Sequence, residues 1–199
     1  YNETIKGKSS KSVEQYYSDL RTFFRYILLV RGKAQPGIPF NKIDISGVDI
    51  ELVRSVTVSD LYGFMVYCKE ELRNNTATRA RKTSTLRLFF KYMSVQTHRL
   101  DSNPADLLEA PKIKQSLPKY LSLEDSLELL NSVDGENERR DYCILTIFLN
   151  CGLRLSELCG LNLSDISSDG TMTVTGKGNK ERMVYLNDSC KTAIKRYLE

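Results

Sequence analysis

Histidine is nearly absent from this chain. His98 is the single one in 199 residues, and the five cysteines, Cys68, Cys143, Cys151, Cys159 and Cys190, contain no Cys-x-x-Cys pair. A zinc site draws on clustered histidine and cysteine ligands, so a metal centre is not expected. The cysteines are odd in number and fall inside apolar helical patterns, which reads as buried free thiols rather than a disulfide framework. Long hydrophobic runs are missing as well. The longest, Cys143 to Leu149, is interrupted by Thr146 and stops at Asn150, far short of the roughly 20 residues a membrane span requires. Tyr1 to Ser12 lack the apolar core of a signal peptide, so the expected location is cytoplasmic, with no membrane partner. The chain starts at Tyr1 rather than Met and reads as an excerpt.

What is present in excess is positive charge, and it is unevenly placed. Residues 1–110 hold 17 basic and 12 acidic side chains, whereas residues 111–199 hold 12 and 13. From Arg73 to Arg99 the sequence carries Arg73, Arg79, Arg81, Lys82, Arg87, Lys91 and Arg99 with no Asp or Glu. Such a stretch suits a polyanionic partner, nucleic acid above all. It also suits a basic helix face turned to water.

Hydrophobic periodicity divides the chain into elements. Val13, Tyr16, Tyr17, Leu20, Phe23, Phe24, Ile27 and Leu28 recur at helical spacing from Ser12 to about Val30, with Ser12-x-x-Gln15 as a capping box. Gly32 to Ser55 is a long connector. A second helix is expected over about 58–72, opened by Thr57-x-x-Asp60, and a third over about 77–95 with Leu86, Phe89, Phe90 and Met93 inward. Asn103-Pro104 opens a short fourth helix that ends by Pro111. These four elements predict a compact helical unit. Pro111 to Pro118, which contains Lys112 and Lys114 and no acid, reads as a linker.

Beyond it, Ser122 opens a helix carrying Leu123, Leu127, Leu130 and Val133, and residues 137–150 form a more central one. Gly152 breaks the pattern, a short helix follows over about 155–161, and the period then switches to two. Met172 and Val174, a Gly-Lys-Gly-Asn turn, and Met183 to Leu186 predict a β-hairpin. Asn187 or Asp188 caps a last helix carrying Cys190, Ala193, Ile194, Tyr197 and Leu198. The fold class expected is mainly α with one small β-hairpin.

Three constellations carry possible chemistry. Arg79, Arg81 and Lys82 crowd the first turns of the third helix, where the dipole disfavours cations. A phosphate held there by the free backbone N–H groups would offset this, or the side chains simply point into water. Arg154 lies between Gly152-Leu153 and a new helix, among leucines and three residues before Glu157. Its permanently charged fork suits the oxygens of a phosphate in a partly dry site, and equally a buried ion pair with Glu157. Lys177 sits between glycines on the hairpin tip, with Lys180 and Arg182 on the returning strand. It can reach into a groove or remain a solvated turn lysine.

With these residues in place, the chain resembles the tyrosine recombinases of the phage integrase family, most closely the Xer type. The resemblance is carried by Cys151-Gly152-Leu153-Arg154-x-Ser156-Glu157-Leu158, by Leu161 and Asp165-Ile166, and by Gly176-Lys177-Gly178-Asn179-Lys180-Glu181-Arg182. Thr85-Leu86-Arg87-x-Phe89-Phe90 and Asn103-Pro104-Ala105 extend it upstream.

The resemblance implies a four-helix core-binding (SAM-like) domain over 1–110, a linker over 111–119, and over 120–199 an α+β catalytic domain cut before its nucleophile. It implies an enzyme that cuts and rejoins duplex DNA through a 3′-phosphotyrosyl link, without a cofactor, as a homo- or hetero-tetramer in the complete synapse. Arg154 would hold the scissile phosphate, Lys177 would protonate the departing oxygen, and Glu157 would support them. Arg79, Arg81, Lys82, Arg87, Lys91, Lys112, Lys114, Lys180 and Arg182 would bind DNA.

The departures from the family pattern are specific. Cys151 stands where threonine is more usual, and the connector over 32–55 is long. The family's His-x-x-Arg, a further His or Trp and the nucleophilic tyrosine all lie after the hairpin lysine, yet none of the 22 residues following Lys177 is histidine. Tyr185 and Tyr197 are expected to be structural, and His98 a surface or helix-end residue. The 199 residues are therefore expected to bind DNA as a monomer without cleaving it. A truncated, non-catalytic DNA-binding protein and a helical protein-interaction module are the alternative readings.

Overall fold

The computed structural model describes residues 7, 9–114 and 117–199. It divides into two compact units, Tyr1–Ser116 and Leu117–Glu199.

The first unit is built on α1 (Ser10–Val30), α2 (Ile50–Arg54), α3 (Val58–Glu70) and α4 (Thr76–Lys91). Ser9, not Ser12, caps α1, accepting from the Ser12 amide, so the expected capping box lies a turn inside the helix. Helix α1 stops where Gly32 takes φ +64°, a conformation that costs little without a Cβ. The connector that follows is more than a loop. Asp49 caps the short α2, and Ile43, Leu52, Val53 and Val56 insert into the core. Thr57 and Asp60 form the expected reciprocal cap on α3. Helix α4 is capped by Asn75 and runs into a wider π turn, Tyr92–Gln96, after which His98 lies exposed with φ +48°.

The short helix expected at Asn103-Pro104 is absent. Asn103 instead accepts the Ala105 amide on its side chain, closing a local turn that buries Ala105 and Leu108. An Asn side chain competing for the backbone two residues on diverts the chain from helix. The connector over 32–55 instead contains a 3-10 turn, Phe40–Lys42, and the short α2.

Phe23, Phe64 and Phe90, from α1, α3 and α4, form the centre of this unit. Phe23 meets Phe64 edge-on at 5.2 Å and Phe90 at 6.1 Å between centroids, the arrangement the ring quadrupoles favour. Against this apolar cluster lies a carboxylate. Asp19 on α1 is 2% exposed; it accepts from Arg81, from Lys82 Nζ at 3.2 Å and from Thr85 Oγ1 at 3.0 Å, all on α4. Of the three cations at the start of α4, Arg81 and Lys82 therefore converge on an anion inside the protein, while Arg79 reaches Thr76 instead. Lys82 is buried, with its ammonium 6.0 Å over the Phe64 ring, and its expected role in DNA contact is corrected accordingly.

The second unit comprises α5 (Leu123–Asn131), α6 (Glu138–Cys151), α7 (Leu155–Cys159), a hairpin of β1 (Thr171–Thr175) and β2 (Glu181–Tyr185), and α8 (Asp188–Leu198). Ser122 and Asp125 cap α5 reciprocally. The apolar stripe of α5 is only partly used, since Leu123 is 77% exposed and Leu127 is also exposed. Helix α6 packs on α8 and the hairpin through Cys143, Ile147, Met172, Val174, Cys190, Ala193 and Ile194.

The antiparallel register sets Met172 opposite Val184 and Thr173 opposite Met183. Period two then directs Met172 and Val174 inward and Met183 and Tyr185 outward. Of the two tyrosines expected to be structural, Tyr185 is 80% exposed and Tyr197, in the last turn of α8, is half exposed. Cys68, Cys143 and Cys190 are buried free thiols; Cys151 is half-buried and Cys159 exposed, against expectation. Among the described residues no helix is long and apolar enough to cross a membrane.

Removing the acid at Asp19 strands a buried ammonium, which costs about 3–5 kcal/mol where one partner of a buried pair is lost. Asp19→Ala is expected to lower the unfolding free energy of the first unit by about that amount in urea denaturation followed by circular dichroism. Pairing Asp19→Leu with Lys82→Met is expected to recover most of the loss. Equal destabilisation by the single and the double variant would contradict this account.

Candidate phosphate site

The strongest constellation lies where α6 ends. Gly152 takes φ +58°, ψ +38°, a left-handed C-cap that redirects the chain. Leu153 is then buried and Arg154 becomes the N-cap residue of α7. In the first turn of α7, Glu157 returns its Oε2 to the Arg154 amide at 2.9 Å and its Oε1 to Arg154 Nη1 at 2.7 Å. Arg182 approaches from β2 and donates Nη1 to Oε1 at 2.9 Å and Nη2 to Oε2 at 2.8 Å. One carboxylate thus accepts four hydrogen bonds.

The Glu157 side chain is 2% exposed while that of Arg154 is 70% exposed. The sequence suggests Arg154 sunk among leucines; the structure buries the carboxylate and leaves the guanidinium outside. The reason is local: an N-cap residue sits at the rim of its helix, and the residue three positions on folds back beneath it. One Nη of Arg154 is tied to Glu157, and the rest of its fork faces solvent.

The clamp also fixes the hairpin. The Gly176 amide donates to the Lys180 carbonyl at 2.7 Å to close the loop, with Gly178 at φ +79° and Asn179 at φ +59° in the turn. A Cβ on Gly176 would lie 3.1 Å from Glu157 Oε1, so the absence of a side chain is what lets the hairpin base close on the carboxylate. Lys177 and Lys180 project exposed from the tip. Glu157 is therefore the common anchor of the element that carries Arg154 and the element that carries Lys177. Its carboxyl is held far below the usual carboxylate range, chiefly by the hydrogen bonds from Arg182, then by the Arg154 amide. The Arg182 guanidinium is held correspondingly more basic.

The other expected contact residues separate into groups. Arg87 and Lys91, four apart on α4, are exposed on one face, and Lys112 and Lys114 are exposed in the segment after Pro111. Arg79 is half-buried, reaching Thr76 Oγ1 at 3.3 Å. Arg81 and Lys82 are engaged by Asp19, and Arg182 by Glu157. Sequence reasoning missed Asp19, although a clue was available: it lies four residues before Phe23, on the apolar face of α1. It also missed the grip of Arg182 on Glu157, which joins residues 25 apart.

Comparison with known proteins places the chain in a class. Residues 119–199 match the Phage integrase family. Over all 199 residues the chain is 47% identical to the tyrosine recombinase XerC of Caldanaerobacter subterraneus subsp. tengcongensis, covering 56% of that protein. It is 37% identical to the XerC of Thermodesulfovibrio yellowstonii over 97% of this chain and 57% of the other. It is 36% identical to the XerD of Proteus mirabilis over 90% and 60%. The chain spans little more than half the length of these curated relatives. Among solved structures, a lambda integrase dimer bound to a COC′ core site matches with a TM-score of 0.67 at 17% identity, over 96% of this chain and 61% of that one. The XerH recombinase bound to difH substrate matches at 0.64 and 18%, over 97% and 52%. These likenesses establish a shared fold. The chain belongs to the phage integrase family of tyrosine recombinases, on the Xer side.

A carboxyl group whose folded pKa is depressed contributes stability that is full above its unfolded value and is lost as pH falls through the folded one. Glu157→Gln is expected to lower the urea midpoint of the second unit at pH 7. The gap to the unsubstituted protein is expected to narrow once pH falls below about 4.3, the ordinary glutamate value. A gap independent of pH between 7 and 3 would rule out the ionised clamp as its cause.

Proposed function

We propose that these residues are the DNA-gripping and phosphate-holding part of a site-specific recombinase, which cuts and rejoins duplex DNA through a 3′-phosphotyrosyl intermediate. The observation that carries this reading is the exposed Arg154 guanidinium locked to the same buried carboxylate as the hairpin bearing Lys177. Arg154 offers its outward N–H groups to non-bridging oxygens as charge builds in the pentacoordinate transition state. Lys177 donates the proton that the departing 5′-oxygen requires. Glu157 touches neither phosphate nor leaving group; it orients Arg154 directly and the hairpin through Arg182. The lambda integrase dimer bound to its COC′ core site and XerH bound to difH substrate support duplex DNA as the partner.

In this proposal the first unit is the core-binding domain and the second the opening part of the catalytic domain. Arg87, Lys91, Lys112, Lys114 and Lys180 contact backbone phosphates. Arg81 and Lys82 instead hold the fold through Asp19, and Arg182 holds the site. The 199 residues bind DNA as a monomer and do not cleave it, because no histidine follows Lys177 among them. In the complete protein, a tetramer carries out strand exchange.

Fluorescence anisotropy with a labelled duplex tests the binding half. Affinity is expected to fall steeply with salt, and Arg87→Gln and Lys91→Gln each to reduce the log–log salt slope by about 0.9, the contribution of one phosphate contact. No detectable binding at low salt would remove DNA from the reading. Cleavage is tested in the complete protein on a nicked duplex that traps the covalent link. Arg154→Ala and Lys177→Ala are each expected to reduce trapping by about 10²-fold or more while leaving affinity within about 3-fold. Full trapping by both variants would dismiss their assigned roles.

A further inference from the structure

We infer that Cys151 and Cys190 are an oxidisable thiol pair, at which a hydroperoxide closes a disulfide between the end of α6 and the start of α8. Their sulfurs lie 3.9 Å apart, from residues 39 positions apart in sequence. Cys151 is the last residue of α6 and Cys190 the third of α8. The two helix ends are already tied beside the pair: Asn187 Nδ2 donates to Asn150 Oδ1 at 2.7 Å, and Asn187 Oδ1 accepts the Cys190 amide at 2.9 Å. Among the described hydrogen bonds Cys190 Sγ has one other partner, the Thr146 carbonyl at 3.9 Å. Closure requires the sulfurs to approach by about 2 Å.

Access assigns the roles. Cys190 is fully buried and Cys151 is half-buried, so a solute meets Cys151 first. Burial, then the neighbouring Cys151 sulfur, push the Cys190 thiol up to about 12, which keeps it protonated and excludes it as the initial nucleophile. The Cys151 sulfur gives up its proton and attacks one oxygen of hydrogen peroxide, the O–O bond breaks, and the departing hydroxide takes that proton to become water. The peroxide is reduced and Cys151 becomes a sulfenic acid. The Cys190 sulfur then attacks the Cys151 sulfur, the S–O bond breaks, and the leaving hydroxide takes the Cys190 proton as a second water. Two thiols and one peroxide give one disulfide and two waters.

Cys159, though exposed, has no thiol beside it among the described contacts, and no group of three metal-ligating side chains converges among the described residues. The pair therefore fits oxidation rather than metal capture. Gly152-Leu153-Arg154 follows directly on Cys151, so closure re-anchors the turn that presents the exposed arginine. None of this depends on the proposed action on DNA.

The test exposes the folded chain to hydrogen peroxide, alkylates the remaining thiols and maps the peptides by mass spectrometry. The expected result is an intact mass lower by two hydrogens and a linked peptide pair containing Cys151 and Cys190, both reversed by dithiothreitol. Cys151→Ser and Cys190→Ala are each expected to abolish that pair, and Cys159→Ser to leave it. Circular dichroism checks that each variant folds; should Cys190→Ala unfold, the exposed-side variant Cys151→Ser decides alone. Oxidation of Cys151 or Cys159 to sulfinic acid without the linked pair, a pair joining Cys143 to Cys190, or a linked pair formed only in urea would each overturn the inference.

Discussion

The arrangement of the second unit depends on the carboxylate of Glu157, which is enclosed by protein and satisfied on both oxygens by Arg154 and Arg182. Desolvating a carboxylate is costly unless charge and hydrogen bonds replace the water it loses. That requirement brings three pieces of chain together: the turn after α6, the first turn of α7 and the strand β2. Their positions are mutually fixed, because moving any one would strip donors from both ionised oxygens. The exposed arginine and the hairpin lysine inherit their placement from this clamp. Rigid support beneath an exposed cation is what electrostatic stabilisation of a phosphate transition state requires, since donors already in place need no reorganisation.

The first unit solves a similar problem with Asp19. Its buried carboxylate takes donors from Arg81, Lys82 and Thr85 and so draws α4 onto α1 beside the Phe23, Phe64 and Phe90 cluster. In both units an internal acid claims cations that sequence composition alone would assign to a polyanion. The distinction matters for function. Arg87 and Lys91 remain exposed on α4 and are available to an external partner, whereas Lys82, five residues before Arg87, is part of the core. A count of basic residues along Arg73–Arg99 treats them alike; their neighbours in space do not.

Most helices were legible because each follows from a short-range rule. Thr57 with Asp60, Ser122 with Asp125, and Gly152 announce where helices start or stop, and the alternation at Met172 and Val174 announces the hairpin. The failures have equally local causes. At Asn103 a side-chain hydrogen bond outcompetes the helix that Asn-Pro suggests, and in the supposed connector the five residues of α2 are too few for a periodic signal. Leucines flanking Arg154 suggested a dry setting, yet N-cap geometry turns that side chain outward and Glu157 inward. Only one face of the two-stranded sheet is covered, and the register turns Tyr185 away from it.

The helical class, the hairpin with its glycine-bounded lysine, the Arg154–Glu157 spacing and the family resemblance all follow from the order of residues. All of these reside in residues close along the chain, where capping, periodicity and turn chemistry act. Tertiary structure alone decided which charges are internal and which are free. The pairing of Asp19 with Lys82 spans 63 positions and that of Glu157 with Arg182 spans 25, and the Cys151–Cys190 approach spans 39. No local rule fixes such pairs, because the energy that selects them comes from excluding water around groups that meet only after the helices have packed.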